Sequence, residues 1–418
     1  MQYMSKGKQK MLALQCLLLC ATILFGAAAC NTTATDSGAA SSQPTSAAAS
    51  STLPPSSQAT VSSKPVSSTP VSSKPVSSTP VSSTPVSSKP VSSTPVSSKP
   101  AVSKPITTTL TLEQETTPSG HYNNTVNVFN SGNVTVCGDY ALEIVGGGSA
   151  AVKQSYAAAV NTLVKKYPSL NVICAIIPKS SAFNHPDKYA NQYNVQQKSI
   201  ADSYALMNDS VITVDVFGEM AAHKGEYMFY RTDHHWNGLG AYYASVAYGK
   251  ALGIETRALS SYKTVTTSGY VGSLYTFCAS PKPQCLRQNP DVTVGRLPNA
   301  EYTLTYTYNG AQYKGTAINA RNGGYMMFLS GDFPLIHIKT SNTTGRKLLV
   351  FKESYGNAFV PYMIDYYDEI VVVDIRQKTP TTSKLIADYG ITDVLVINNV
   401  QAANNGSQIK QLAAKTAS

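Results

Sequence analysis

The densest group of side chains able to move protons lies in one heptapeptide, Arg231-Thr232-Asp233-His234-His235-Trp236-Asn237. It holds two of the six histidines and the only tryptophan of a chain in which 13% of residues are charged. Two residues apart on an extended segment, Asp233 and His235 project to the same side. An aspartate so placed can fix the imidazole tautomer, and the imidazole can then serve as general base. His234 projects the other way and reads as scaffold. Trp236 reads as a packing anchor for the loop, and Asn237 with Gly238 suits the start of a helix.

A base needs a nucleophile. Ser354, in Phe351-Lys352-Glu353-Ser354-Tyr355-Gly356-Asn357, stands where a strand passes into a helix, which is where open α/β sheets place catalytic groups. The N–H groups of the coming helical turn can stabilise an oxyanion there. Gly356 permits close backbone approach, and Tyr355, Asn357 and Arg231 are candidates for oxyanion stabilisation or substrate positioning. The surroundings are not Gly-x-Ser-x-Gly, so the nucleophile elbow of the α/β-hydrolases is not indicated. Alone, such a serine reads as a helix cap; the Asp-x-His pair makes it a candidate nucleophile.

The elements that must position these residues follow from periodicity. Residues 149–167 are alanine-rich with helical spacing, and 171–178 form a continuous apolar run, as in a strand buried on both faces. A polar helix at 188–207, a strand at 211–217 and a helix at 240–252 follow. From 262 to 341 tyrosine, threonine and glycine alternate, and residues 301–308 followed by Asn309-Gly310 predict a hairpin. Strand, helix, strand, helix, strand resume at 346–352, 358–367, 369–375, 382–389 and 393–398. That order implies right-handed crossovers and a mostly parallel sheet covered on both faces. The expected fold is three-layer α/β over 121–418, with a β-rich insertion at about 260–345.

The first 120 residues have another character. Lys6, Lys8 and Lys10 precede an apolar run at 11–25, and small residues lead to Cys30, which together read as a signal peptide over 1–29. The run is shorter than the ~20 residues of a spanning helix. The residues ending at Cys30 resemble a bacterial lipobox, with Ala27 where leucine is usual, so Cys30 is the expected lipidation site. Residues 61–100 are eight copies of Val-Ser-Ser-Lys/Thr-Pro. Regular proline blocks helix and sheet ladders, and at ~3.1 Å per residue the tract to Pro105 reaches roughly 140 Å when extended. Residues 30–120 thus read as a disordered tether holding a domain outside the membrane, at its outer face or in the cell wall.

The net charge of +10 divides evenly between this segment and the remainder. A domain surplus of that size, with no Lys/Arg cluster beside aromatics, does not argue for nucleic acid. Cys278 and Cys285 flank a turn-forming stretch and could close a disulfide loop outside the cell. Cys137 and Cys174 lie in apolar runs and read as buried thiols. No Cys-x-x-Cys and no His-Glu-x-x-His spacing occurs, so no metal and no organic cofactor is expected.

Residues 231–242 and 352–362 resemble the two signature blocks of the DHHW proteins, exported proteins of low-GC Gram-positive bacteria. These are similar in turn to the SGNH-like domain of alginate O-acetyltransferases. The resemblance implies an SGNH-hydrolase-like fold and a triad of Asp233, His235 and Ser354, with Glu353 where aspartate is usual. It implies an O-acyltransferase or acetylesterase acting on cell-envelope or extracellular polysaccharide, supplied with acetyl groups by a membrane-bound acyltransferase. Two other classes are compatible with the residues. One is a glycan-binding module without catalysis, given 26 tyrosines. The other is a metal site joining Asp233, His234 or His235 to His185, His223 or His337. Ser354 within hydrogen-bonding reach of His235 separates the first class from both.

Overall fold

The computed structural model describes residues 127–418. The expected signal peptide, Cys30 and the repeat tract lie outside the described residues. A meander of β1 (Val128–Ser131), β2 (Val134–Cys137) and β3 (Tyr140–Leu142) comes first. Its strands of three or four residues are too short to show a period in the sequence. Ser149 caps α1 (Ala150–Lys166), accepting a hydrogen bond from the Val152 N–H at 3.3 Å. Then come β4 (Asn171–Ile177), α2 (Gln192–Tyr204) and β5 (Val211–Val214). β5 stops short of its apolar run because Asp215 caps α3 (Val216–Ala222), accepting from the Gly218 N–H at 2.8 Å. α4 (Gly238–Leu252) ends at Gly253, whose φ of +67° lies in the left-handed region that favours glycine.

The middle of the chain is less separate than its composition suggests. β6 (Lys263–Tyr270) pairs with β7 (Asp291–Leu297), and the short helices α5 (Ser273–Phe277) and α6 (Gln284–Gln288) lie between them. β8 (Tyr302–Tyr308) and β9 (Ala311–Gly315) form the hairpin expected from Asn309-Gly310, both with positive φ as a tight primed turn requires. With β10 (Leu335–Thr340) they extend the main sheet. The α/β alternation then runs through β11 (Lys347–Lys352), α7 (Gly356–Met363), β12 (Glu369–Asp374), α8 (Thr382–Tyr389) and β13 (Asp393–Asn399). Two helices absent from the sequence reading close the chain, α9 (Val400–Ala403) and α10 (Gly406–Thr416).

The eight-stranded sheet has the order β5-β4-β13-β11-β12-β10-β8-β9. Its first five strands are mutually parallel, and β10, β8 and β9 are antiparallel. The sheet is therefore mixed, with a parallel part of five strands and an antiparallel extension of three, which the region expected as an insertion supplies. β4, β11, β12 and β13 are buried almost throughout, which is why they read as unbroken apolar runs.

Cys278 and Cys285 are free thiols rather than a disulfide. Cys278 ends α5 and is buried in a small apolar cluster with Leu274 and Leu286, and Cys285 packs against the same cluster from α6. The two thiols serve as packing groups on separate helices. Cys137 and Cys174 are fully buried as expected, and burial pushes their thiols up to about 11 and about 12.

Among the described residues, one lysine lies wholly inside. Lys352, at the end of β11, is buried and reaches Asp332 at 3.0 Å and Asp374 at 3.2 Å, and Arg376 also pairs with both carboxylates. Removing one partner of such a network leaves buried charge uncompensated. Lys352→Met is expected to destabilise the fold by about 3–5 kcal/mol, read by urea denaturation; a loss under about 1 kcal/mol would show the network to be dispensable.

Candidate active site

Four neighbouring parallel strands deliver one wall of the site from their carboxyl ends. Lys179 follows β4 by two residues, Asn399 ends β13, Glu353 and Ser354 follow β11, and Arg376 follows β12 by two residues. These residues line a cleft of about 630 Å³, counting space open to solvent. It lies where the strand order changes direction, β11 continuing to β12 on one side and pairing with β13 on the other.

The Asp-His-His segment reaches this cleft on a narrow loop before α4. Phe229 and Trp236 bridge across the loop, and the Asn237 N–H bonds Met228 O at 2.9 Å. Asn237 caps α4 as expected, accepting from Leu239 N–H at 2.9 Å and Gly240 N–H at 3.3 Å. Buried Asp291, at the start of β7, accepts from the N–H groups of Arg231 and Thr232, both at 2.9 Å. Trp236 is fully buried, and its Nε1–H bonds Tyr355 O at 3.0 Å, tying this loop to the serine turn.

The three proposed reacting residues meet. His235 Nε2 lies 2.7 Å from Ser354 Oγ, and His235 Nδ1 lies 2.6 Å from Asp233 Oδ1. All three are nearly excluded from water. Asp233 Oδ1 also accepts from the His235 N–H at 2.9 Å, and Oδ2 accepts from Tyr270 OH at 2.7 Å and from the Ser273 N–H at 2.8 Å. Burial alone would push the Asp233 carboxyl up. The His235 charge and hydrogen bond outweigh it and hold the group well below the usual carboxylate range. An ionised Asp233 keeps the proton on Nδ1 and leaves the Nε2 lone pair facing the serine. Gly272 is required at its position, because a Cβ there would lie 2.3 Å from that of Asp233.

The middle of the chain holds this arrangement from the other side. The Tyr325 ring stacks on His235 at 3.7 Å with 5° between planes, and its hydroxyl donates to Ser354 O at 2.7 Å and to Tyr355 O at 3.0 Å. The serine turn is closely wound: a Cβ on Gly356 would lie 2.5 Å from that of Lys352. Among the described residues no acceptor takes the Ser354 N–H, so it is available to a developing oxyanion. Glu353 turns its carboxylate into the cleft, accepting from Tyr355 N–H at 3.1 Å, Asn399 N–H at 2.9 Å and Asn399 Nδ2 at 3.0 Å.

Several expected positions differ. Arg231 is drawn away by Asp139 at 3.3 Å and Pro290 O at 3.1 Å, partners too remote in sequence to be foreseen. Asn357 donates to Asp332 at 2.8 Å and joins the charged network behind the turn. The Tyr355 ring is buried, its N–H is taken by Glu353, and its hydroxyl binds His234 O at 2.5 Å. His234, read as scaffold, instead lines the cleft: Ser273 Oγ holds its Nδ1, and its ring lies 3.8 Å from that of His235. Lys179, Tyr325, Arg376 and Asn399 carried no signal of their own in the sequence, and Glu353 was marked only as a departure from the usual aspartate.

Among the described residues, one group could offer metal ligands, Asp233 with His234 and His235. Both Asp233 oxygens and both His235 nitrogens are already engaged, so a metal there would have to break the serine contact. His223 is held by Glu226 and stacked on Tyr243, and His337 is held by Glu369.

These groups make stability fall in acid. Burial pushes the imidazoles of His234 and His185 down. Neighbouring cations outweigh burial to hold Asp332 and Asp374 below the carboxylate range, as His235 does for Asp233. Every folded value here lies under its unfolded one, so each contribution is complete above the unfolded value and lost as pH falls through the folded value. Tm is expected to decline below about pH 6.5 as unfolded histidines protonate, and more steeply below about pH 4. Scanning calorimetry from pH 8 to 3 checks this; a Tm that rises on acidification reverses the sign.

The chain can now be set beside known proteins. The family model described as DHHW protein matches residues 108–373. Among solved structures the chain is similar to a DHHW family protein from Eubacterium siraeum, with 32% identity, 69% of this chain and 97% of that one covered, and a TM-score of 0.63. It is similar in fold to PatB1 of Bacillus cereus, with 17% identity, 68% and 99% covered, and a TM-score of 0.55. A second PatB1 structure, bearing a sulfonyl adduct, gives 16% identity, the same coverage and a TM-score of 0.54. No curated protein matches the chain.

Proposed function

The chain belongs to the DHHW family, and from that footing we propose that it performs acyl-ester chemistry on a carbohydrate, with Ser354 as nucleophile, His235 as base and Asp233 as the group that orients the base. The observation that carries the reading is the unbroken relay from Asp233 Oδ1 through His235 to Ser354 Oγ, at 2.6 and 2.7 Å. Ser354 Oγ attacks the acyl carbonyl carbon while His235 Nε2 takes its proton. Negative charge gathers on the carbonyl oxygen, for which the unengaged Ser354 N–H, two residues before α7, is the proposed donor. As the tetrahedral intermediate collapses, imidazolium returns the proton to the leaving oxygen. A sugar hydroxyl or water then attacks the acyl-serine in the reverse sequence.

The sheet and its covering helices are read as the three-layer SGNH-like arrangement, which presents the serine at a carboxyl edge. The domain works outside the cell, tethered by the repeat tract to a lipid on Cys30 and fed by a membrane-bound acyltransferase. Cys30→Ser is expected to move the protein from the membrane fraction to the soluble one; unchanged membrane recovery counts against the anchor. The chemistry itself is tested with p-nitrophenyl acetate. Saturable release of nitrophenol supports it, and a folded protein that neither turns over the ester nor takes up a fluorophosphonate ends it.

A further inference from the structure

Among the described residues, the cations lining the cleft beside Ser354, Lys179 and Arg376, are each paired with carboxylates. Lys179 Nζ is paired with Glu143 and bonds Gln401 Oε1 at 3.0 Å. Arg376 is paired with Asp374 and Asp332, which also hold Lys352. Glu353 adds a further buried carboxylate, bonded by backbone and amide N–H groups rather than by a cation. Around the serine, then, Lys179, Arg376 and Lys352 face Glu143, Glu353, Asp332 and Asp374. An acidic substrate entering here would meet carboxylates, and among the described residues no unpaired cation lines the cleft to balance its charge.

What the wall does offer is neutral and polar. Past β13 the chain lines the cleft with carboxamides. Asn405 Oδ1 is spent capping α10, accepting from Ser407 and Gln408 N–H groups at 3.0 and 3.1 Å, which leaves its Nδ2. Gln401 Oε1 is spent on Lys179, which leaves its Nε2. Gln408 Oε1 is buried, and among the described residues no donor reaches it. A buried acceptor of this kind costs stability unless something donates to it. Phe277 also lines the cleft, its ring 6.0 Å from that of His234. Amide donors and acceptors beside one aromatic face suit the hydroxyls and the C–H face of a sugar ring.

Resting on the acyl-serine reading above, we propose that this wall is the acceptor subsite and that the acceptor is an uncharged, hydroxyl-rich glycan rather than an acidic one. Gln408, Gln401 and Asn405 hold its hydroxyls, and one hydroxyl is presented to the acyl-serine. That oxygen bonds to the acyl carbon, its proton passes to His235 Nε2, the bond to Ser354 Oγ breaks, and the proton goes to the released serine.

The test supplies p-nitrophenyl acetate as donor. The acceptors are neutral gluco-, manno- and N-acetylglucosamine pentasaccharides against mannuronate and galacturonate pentasaccharides, and acetylated product is counted by mass spectrometry. Neutral acceptors are expected to be acetylated at least about tenfold faster, with little dependence on salt. Gln408→Ala, with its fold checked by circular dichroism, is expected to raise the KM for the neutral acceptor about tenfold. Preference for the uronates, or an acyl-serine that passes its acetyl only to water, overturns the inference while leaving the acyl-enzyme intact. Failure to form any acyl-serine overturns the underlying reading instead.

Discussion

Ser354→Ala is expected to bring p-nitrophenyl acetate turnover down by at least about 10³-fold, to the level left by binding and the oxyanion donor alone. The substitution removes one oxygen from a buried position in contact with His235 and, at 3.3 Å, with Glu353. Its backbone contacts remain: Tyr325 OH still donates to the carbonyl of residue 354, and the Asn357 N–H still closes on it at 3.1 Å. The turn is therefore expected to keep its shape and the protein its Tm within a few degrees. Lost turnover at a preserved Tm isolates the nucleophile from the fold. Turnover within tenfold of the parent would place the chemistry elsewhere.

Asp233→Asn is the sharper test, because it keeps the shape while removing the charge and turning one acceptor oxygen into an amide donor. The aspartate accepts four hydrogen bonds, two on each oxygen. An asparagine must put its amide somewhere. Facing His235, the amide forces Nδ1 to become an acceptor and moves the ring proton to Nε2, against the serine it should deprotonate. Facing Ser273, it sets two donors against each other. The first cost is catalytic and the second displaces the carboxamide, and kcat is expected to fall about 10³–10⁴-fold with KM little changed. A loss below about tenfold would mean that His235 does not need its partner, and the relay would be a structural contact.

The proposed reacting groups were legible because each carries a local signature. Asp-x-His on an extended segment and a serine between strand and helix are patterns of a few residues, and β11, β12 and β13 are apolar runs that need no partner to be recognised. The hairpin at Asn309-Gly310 was legible for the same reason. What surrounds the serine was not. Lys179, Arg376 and Asn399 become neighbours only through the order of strands β4, β13, β11 and β12, which no local period encodes. Asn399 and Asn405 cap α9 and α10, two helices absent from the sequence reading, and they line the cleft as well. Tyr325 and Tyr270 sat in a stretch where tyrosine reads as a sheet former, yet one stacks on His235 and the other bonds Asp233. Arg231 was misplaced because its carboxylate partners, Asp139 and Asp291, lie 92 and 60 residues away. His234 was misplaced because alternation describes a strand, whereas this loop turns its backbone to meet Ser273 and Tyr355.

The most direct measurement is the site of covalent capture. A fluorophosphonate offered to the folded chain should add once, and peptide mass spectrometry should find it on the segment containing Ser354. The same reagent should add far more slowly to Asp233→Asn and not at all at that segment in Ser354→Ala. A stoichiometric adduct on any other residue, or a folded parent protein that takes up none, would contradict the account.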